Sequence, residues 1–508
     1  MSTKNDINKI LLKKFPHLEV NVVKYSEVKK DNKYFRIDSE PFKRSRLLFN
    51  KNIEYIKLSE IAIINPSKNE IYNLDENTQV TFLSMQNLGN GFINKQEKVI
   101  IKDFIEGYTY FAENDILIAK ITPCMEHGKC AIARKLYNGI GFGSTEFNIF
   151  RIKDKRFSKE YIFSFLNREN IRQIAADNMV GTSGRQRVST EFYENLLIPM
   201  FSKEFQLEIE AMVKDSHKAL ENSKKLYKEA EAILYEALGL DAENPLESIL
   251  SFGEEDKIVH SLRLDGGNSK GYIVASPNYS QKYKGLNISI ITYKESYLKT
   301  GRLDAQYYQE KFRKNEILIK KFSHAKLSDL VNIKKSIEPG SEAYKSEGIE
   351  FIRVANFGKF ELSKSDIYLD KIKFIDELEK LYPRKDTILL TKDGSIGMAY
   401  CVPENLNCIT SGAILHLKIK NENIILPQVL TLIINSIIGQ LQAQRDSGGA
   451  IISHWTINEI ENILIPILDL KTQRKIEAKI QQSFELRDKS KELLENAKLK
   501  IEKAIIEN

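Results

Sequence analysis

The chain has 508 residues, 42% of them hydrophobic, and carries 76 Lys+Arg against 69 Asp+Glu for a formal net charge of +7. That length predicts two or more domains with ordinary cores, and the mild basic excess permits phosphate contact without demanding it. Four cysteines, Cys124, Cys130, Cys401 and Cys408, exclude a disulfide scaffold and point to a reducing compartment. None has the two-residue gap of a zinc knuckle and the histidines form no HExxH pair, so no metal site is expected.

Taken in chain order, the opening MSTKNDINKILLKKF lacks the apolar core of an export signal, which predicts a cytoplasmic protein. The most apolar stretch, residues 424–441, is interrupted by Pro427, Gln428, Asn435, Ser436 and Gln440, so it reads as a buried helix rather than a membrane span. Residues 1–19 form an N-terminal extension, and a first globular part follows over residues 20–200. Its short β-branched runs, VTFLSM from Val80, DILIAKI from Asp115 and EFNIFRI from Glu146, are bounded by Gly, Asn and Pro and read as strands. YIFSFLNRENIRQIAA from Tyr161 reads as helix.

After the strand-like ENLLIP from Glu194, residues 201–238 carry apolar and small side chains alternately four and three apart. Ile209, Val213, Leu220, Tyr227 and Leu234 form the seam. A Gly-, Asn- and acid-rich connector, residues 239–287, contains a candidate hairpin from GYIVAS to GLNISII.

The chain then repeats itself in the same order, roughly 267 residues on. RIDSEPF from Arg36 answers RLDAQYY from Arg302, KLSEIA from Lys57 answers KLSDLV from Lys326, and ENLLIP answers ENILIP from Glu461. The second globular part, residues 288–467, has strands EFIRVA, TILLTK and AILHLKI and helix PQVLTLIINSIIGQLQAQ, and residues 468–508 repeat the heptad seam with Ile476, Ile480, Leu494 and Ile501. A period this long is a duplicated domain with its helical tail, not a solenoid of units of about 20 to 50 residues. The expected architecture is mixed α/β: two tandem α+β domains, each followed by a helix of about 50 Å at 1.5 Å per residue, the two helices packing as an antiparallel coiled coil.

Two loop strings in each copy carry chemistry. AKITPCMEHGKC and its counterpart TKDGSIGMAY place Lys120 and Lys392 at strand ends, with Lys129, Gly394 and Ser395 in turns whose amides and ammonium groups suit a phosphate. A β-turn with a solvated lysine explains the same spacing. The second string, VGTSGRQRVS, flexes at two glycines, Gly181 and Gly184, and presents Arg185, Gln186 and Arg187 beside Ser183, the longer side chains being able to bond guanine O6 and N7 or adenine N6 and N7. Its counterpart runs from Asp446 to Trp455 beside Arg445 and holds His454 but no Arg-Gln-Arg. Either the two loops serve half-sites of different sequence, or they are surface loops that drifted after duplication. Asn87 and Asn356 occupy matching places; adenine contact and an Asx-turn both suit them. No NPPY-type tetrapeptide, no GxxxxGK[ST] loop and no defensible carboxylate frame is present, so no catalytic residue is assigned.

The strings LIAKITPCMEHGKCAIA, GFGSTEFNIFRI, GTSGRQRV and ENLLIP, with TKDGSIG and ENILIP in the second copy, resemble the specificity subunits of type I restriction-modification systems. The resemblance covers roughly residues 20 to 505 and implies a non-catalytic subunit. Each target-recognition domain would read one half of a bipartite double-stranded DNA site. The helices would set the gap and dock adenine methyltransferase subunits, two in number, with a restriction and translocation subunit as a further partner. S-adenosylmethionine, and ATP with Mg2+ for restriction, would then be bound by those partners and no cofactor by this chain. The other class of function open to the sequence is a coiled-coil scaffold with two protein-binding modules.

Overall fold

A computed structural model describes residues 52–182, 185–252, 292–294, 296–374, 378–448 and 454–507, with positions 7, 10, 11, 13–15, 22, 24–26 and 50 before them. The RIDSEPF lead-in, Ser183, the connector hairpin and the start of the second copy near Asn287 lie outside the described residues, as do most of residues 1–19. The chain is mixed α/β. It divides into two compact units, Met1–Glu221 with Leu486–Asn508, and Asn222–Glu485. The division falls inside two long helices, Lys203–Ala237 and Leu470–Glu507.

In the first unit β1 (Tyr55–Lys57) pairs antiparallel with a far later strand, β12 (Leu197–Pro199). Between them lie two four-stranded sheets. One runs β2 (Ala62–Ile64), β9 (Phe147–Ile152), β6 (Ile116–Ala119), β7 (Cys130–Ile132), antiparallel throughout. The other runs β4 (Glu97–Ile100), β3 (Gln79–Leu83), β8 (Ile140–Gly143), β5 (Thr109–Ala112), with β3 and β8 parallel. A two-residue pair, β10 (Met179–Val180) with β11 (Arg187–Val188), projects the Gly181 loop.

The helix read from Tyr161 is two helices, Lys159–Leu166 and Glu169–Asp177. Asn167 ends the first, and Arg168 returns to extended backbone. Ser158 caps the first by accepting from Tyr161 N at 3.1 Å. This helix is nearly all buried, and Tyr161 and Phe163 join a core with Phe150, Ile209 and Val213. Leu494, Ala497 and Ile501 of the second long helix complete that core. Each Val, Leu, Ile or Phe side chain among these contributes about 1.5–3 kcal/mol by leaving water. Gly91, at φ +94°, sits so close beneath Leu494 that a Cβ would lie 2.4 Å from its Cδ1.

The second unit repeats the plan. β13 (His324–Lys326) pairs with β22 (Leu464–Pro466). An antiparallel sheet runs β14 (Val331–Lys335), β21 (Ile414–Ile419), β18 (Ile388–Thr391), β19 (Ala399–Cys401). A further sheet runs β15 (Tyr344–Lys345), β17 (Tyr368–Leu369), β16 (Ile349–Ile352), β20 (Cys408–Thr410), with β16 and β20 parallel. The apolar stretch from Pro427 is again two buried helices, Pro427–Asn435 and Ile437–Asp446, separated at Ser436, whose Oγ bonds Ile433 O. Their core takes in Tyr227, Ala230 and Leu234 of the first long helix and Ile476 and Ile480 of the second.

The repeated strings have repeated physical roles. Lys57 Nζ donates to Asn195 Oδ1 at 3.0 Å, and Lys326 Nζ to Asn462 Oδ1 at 2.9 Å, so the KLS string clamps the ENLLIP-type string in both units. Gln206 accepts from Ser158 N and donates to Arg156 O and Phe201 O; Gln473 accepts from Leu426 N and donates to Ile424 O and Leu468 O. Each buried glutamine ties the base of a long helix to its domain.

Within each unit, segments of the two long helices run antiparallel. In the first, Ser216 Oγ donates to Ser490 O at 2.6 Å, and Lys500 pairs with Glu208. In the second, Ser483 Oγ donates to Ser223 O at 2.9 Å, and Lys479 pairs with Glu229 at 2.6 Å. Ile209, Val213, Tyr227, Leu234, Ile476, Ile480, Leu494 and Ile501 are buried, and Leu220 is half-buried.

Candidate nucleic-acid interface

The two loop strings of each copy, distant in sequence, meet at one end of the antiparallel sheet. In the first unit β6 ends at Ala119, and Lys120 N donates to Glu146 O at 2.9 Å, holding the turn against the start of β9. Lys120 O accepts from Val188 N at 2.9 Å and Thr122 N donates to Gln186 O at 3.2 Å. The hairpin bearing Arg185, Gln186 and Arg187 is thus hydrogen-bonded directly onto the lysine turn. Gly181, at φ +126°, makes the hairpin possible, since a Cβ there would lie 2.8 Å from Arg185 O.

The second unit builds the same junction. Lys392 N donates to Ala413 O at 2.9 Å and Lys392 O accepts from Trp455 N at 2.8 Å, so Lys392 and Lys120 are equivalent. Asp393 bridges to His454 where Ile121 bridges to Arg187. His454 is held also by Gly448, with which it exchanges two main-chain bonds of 2.7 and 3.0 Å. Gly394, at φ +70°, and Ser395 lie at the exposed tip of the Lys392 turn.

The side chains differ in how free they are. Arg185 and Gln186 are exposed, and among the described residues no hydrogen bond or ion pair holds either side chain. Lys120 is half-buried and its charge faces the Glu146 carboxylate. Lys129 Nζ donates to Met85 O at 3.0 Å. Arg187 is committed: Nε lies 2.8 Å from Glu146 Oε2, Nη2 lies 2.7 Å from Oε1, and Nη1 donates to Arg185 O at 3.0 Å. These bonds hold the Glu146 carboxyl below its ordinary value despite some burial.

In the second unit Asp393 accepts from Lys392 Nζ and lies 2.7 Å from His454 Nδ1. Burial pushes its carboxyl up, but the bonds from Lys392 and His454 outweigh that and leave it lowered. Arg445 stands apart from these loops' tips. It is largely buried, bonded to Asp446 at 2.7 Å and Glu316 at 3.0 Å, and stacked over Tyr307 of the RLDAQYY string, whose Arg302 reaches Asp446 O. Its guanidinium organises the lead-in segment.

Asn87 and Asn356 both close 3-10 turns after equivalent strands. Asn87 Nδ2 donates to Ser84 Oγ, while Asn356 Oδ1 accepts from Arg353 N and its Nδ2 donates to Lys364 O. Sequence reasoning singled out neither Glu146 nor Asp393. The available signal was an acid embedded in a glycine-flanked loop, GSTEF and KDGS, beside predicted cations. Among the described residues no group of three His, Cys, Asp or Glu is placed to hold a metal ion, and no helix is long and apolar enough to cross a membrane.

Residues 319–502 match the family profile described as the type I restriction modification DNA specificity domain. Among curated proteins, the EcoAI type I restriction enzyme specificity subunit of Escherichia coli is 24% identical over 96% of this chain and 86% of its own length. The EcoEI specificity subunit of the same organism is 33% identical over 37% of this chain, a match spanning about a third (31%) of that relative. Among solved structures, the HsdS subunit from Thermoanaerobacter tengcongensis shares 16% identity over 90% of this chain and 97% of its own, with a TM-score of 0.28. The type I S subunit from M. genitalium shares 13% over 90% and 96%, with a TM-score of 0.36. Residues 319–502 thus carry the type I restriction modification DNA specificity domain, and the chain as a whole is similar to type I specificity subunits.

Proposed function

We propose that each unit reads one half of a bipartite duplex DNA site, through the junction of its lysine turn and its second loop. The observation that carries this is the pairing of identical main-chain scaffolding with different side chains. Lys120 and Lys392 are held by the same hydrogen bonds, while the partner loops present Arg185, Gln186 and Arg187 in one unit and His454 in the other. Equivalent lysines suit phosphate contacts, which position without reading sequence; divergent loops suit two half-sites of different sequence. On this reading Lys120, Lys129, Lys392, Gly394 and Ser395 approach the backbone, and Arg185 and Gln186 approach base edges.

The two long helices act as an antiparallel coiled coil that fixes the gap between half-sites and docks adenine methyltransferase subunits; the serine pairs and the buried heptad side chains support that pairing. The chain is a non-catalytic, cytoplasmic component. S-adenosylmethionine, and ATP with Mg2+ where a restriction subunit joins, belong to the partners.

The test is methylation mapping by single-molecule sequencing of DNA from cells that express this chain with a partner methyltransferase shown to be intact. N6-methyladenine at one bipartite motif, lost when this chain is omitted, is the expected result. No new methylation, together with no salt-dependent retention of the chain on duplex DNA, refutes the reading and favours a protein-binding scaffold.

A further inference from the structure

We propose that Arg187 and Glu146 form a latch that positions the recognition hairpin of the first unit, and that His454 and Asp393 do the same in the second; the inference rests on the DNA-reading function above. Arg187 falls within the run that suits base recognition, yet its geometry argues for another task. The Nε/Nη2 edge of a guanidinium is a fork able to bond guanine O6 and N7. In Arg187 that edge is filled by both oxygens of Glu146, at 2.7 to 3.1 Å. Nη1 meanwhile holds the carbonyl of Arg185, the residue whose own side chain is exposed. Arg187 therefore grips the base of the hairpin from one side and the start of β9 from the other, and sets where Arg185 and Gln186 stand.

The second unit reaches the same result with exchanged parts. His454 occupies the place of Arg187, as the main-chain bonds of Val188 and Trp455 to the two lysines establish. The residue in the place of Glu146 is Ala413, which offers no carboxylate. The acid comes instead from Asp393, in the place of Ile121, and lies 2.7 Å from His454 Nδ1. Both loop junctions thus carry one pair of a basic side chain on the second loop and a carboxylate on a neighbouring segment, the start of β9 in the first unit and the lysine turn in the second. Drift of two unconstrained surface loops gives no reason for the pair to be rebuilt. Holding each reading loop in one place against its own sheet does, because a bidentate donor fork reads a base only when it is aligned with that base.

Two measurements on the full chain test the latch. Hydrogen exchange of the segment from Val180 to Ser189 is followed in Glu146→Gln, and in the charge-swapped pair Glu146→Arg with Arg187→Glu. Exchange should rise severalfold in the single variant and return toward the parent in the swap. Binding is then read, with the partner methyltransferase present, on a duplex library randomised across both half-sites. Glu146→Gln should lose affinity on the order of fivefold, as for a part-exposed ion pair, while keeping the parent's preferred bases. Arg185→Ala should change the preference itself. Unchanged exchange in Glu146→Gln overturns the latch whether or not DNA is bound. A lost base preference in Arg187→Lys with Glu146→Gln silent shows instead that Arg187 reads the base. If the parent retains no duplex, the DNA reading fails, and the exchange result still decides the latch.

Discussion

The paired serines between the long helices make an asymmetric prediction. Ser216 and Ser483 are donors: Ser216 Oγ bonds the main-chain carbonyl of Ser490 at 2.6 Å and lies 3.0 Å from its Oγ, and Ser483 Oγ does the same to Ser223 at 2.9 and 3.0 Å. All four residues are completely buried. Ser216→Ala removes the hydroxyl that reaches across to Ser490 O and leaves the Ser490 hydroxyl to fall back on its own helix. A net hydrogen bond contributes about 0.5–1.5 kcal/mol, so the expected loss is about 1 kcal/mol. Ser490→Ala leaves the 2.6 Å bond intact, because its acceptor is main chain, and should cost less than half as much.

The second unit should mirror this, Ser483→Ala costing about 1 kcal/mol and Ser223→Ala little. Urea titrations followed by far-ultraviolet circular dichroism read the difference; with a slope of about 3 kcal/mol per molar, 1 kcal/mol moves the midpoint by about 0.3 M. Equal losses within each pair, or a larger loss for Ser490→Ala than for Ser216→Ala, refute the assignment of donor and acceptor.

Other perturbations have equally definite outcomes. Gly91→Ala forces a side chain into positive φ and against Leu494 Cδ1. Strain and overpacking together should lower stability by about 2–4 kcal/mol, read as a loss of thermal midpoint. Arg185→Ala should relax base preference in one half-site only, by about 1–3 kcal/mol of discrimination, whereas Lys392→Ala should weaken binding to all sequences alike and shallow the salt dependence. Both latch carboxyls are lowered from their ordinary values. Their contribution is therefore fully present above about pH 4 and is lost only as pH falls through the depressed values. Exchange of the first unit's loop amides, whose latch pairs Glu146 with an arginine, should be flat in its latch-dependent part from pH 7 to 5 and accelerate below that carboxylate range.

The duplicated plan was legible because the strings that repeat are those whose side chains hold the domain shut: a lysine that must reach Asn195 or Asn462, a glutamine that must close three main-chain bonds, and alternating β-branched strands. Such requirements are local in type and leave the same letters twice. The parallel pairing of β3 with β8 and of β16 with β20 was not legible, since register between strands some sixty residues apart leaves no short-range pattern. The breaks at Asn167 and Ser436 had a signal, a polar helix-ending residue inside an apolar run, that continuous 3.6-residue periodicity masked. At the candidate interface, the loops could be located in the sequence but the partners of their side chains could not. Nothing in VGTSGRQRVS says that Arg187 is taken by an acid 41 residues upstream, or that Arg445 is bonded to Glu316.

The pairing of β1 with β12, and of β13 with β22, has an evolutionary corollary. Because each domain's first and last strands are bonded to one another, everything between them forms a closed insert, attached through two adjacent junctions. Recombination at the KLS and ENLLIP-type strings would exchange one such cassette for another of different sequence while sparing the Lys–Asn clamp and the helices beyond. A protein under pressure to change what it reads would then acquire a new reader in a single genetic event, without re-evolving its frame.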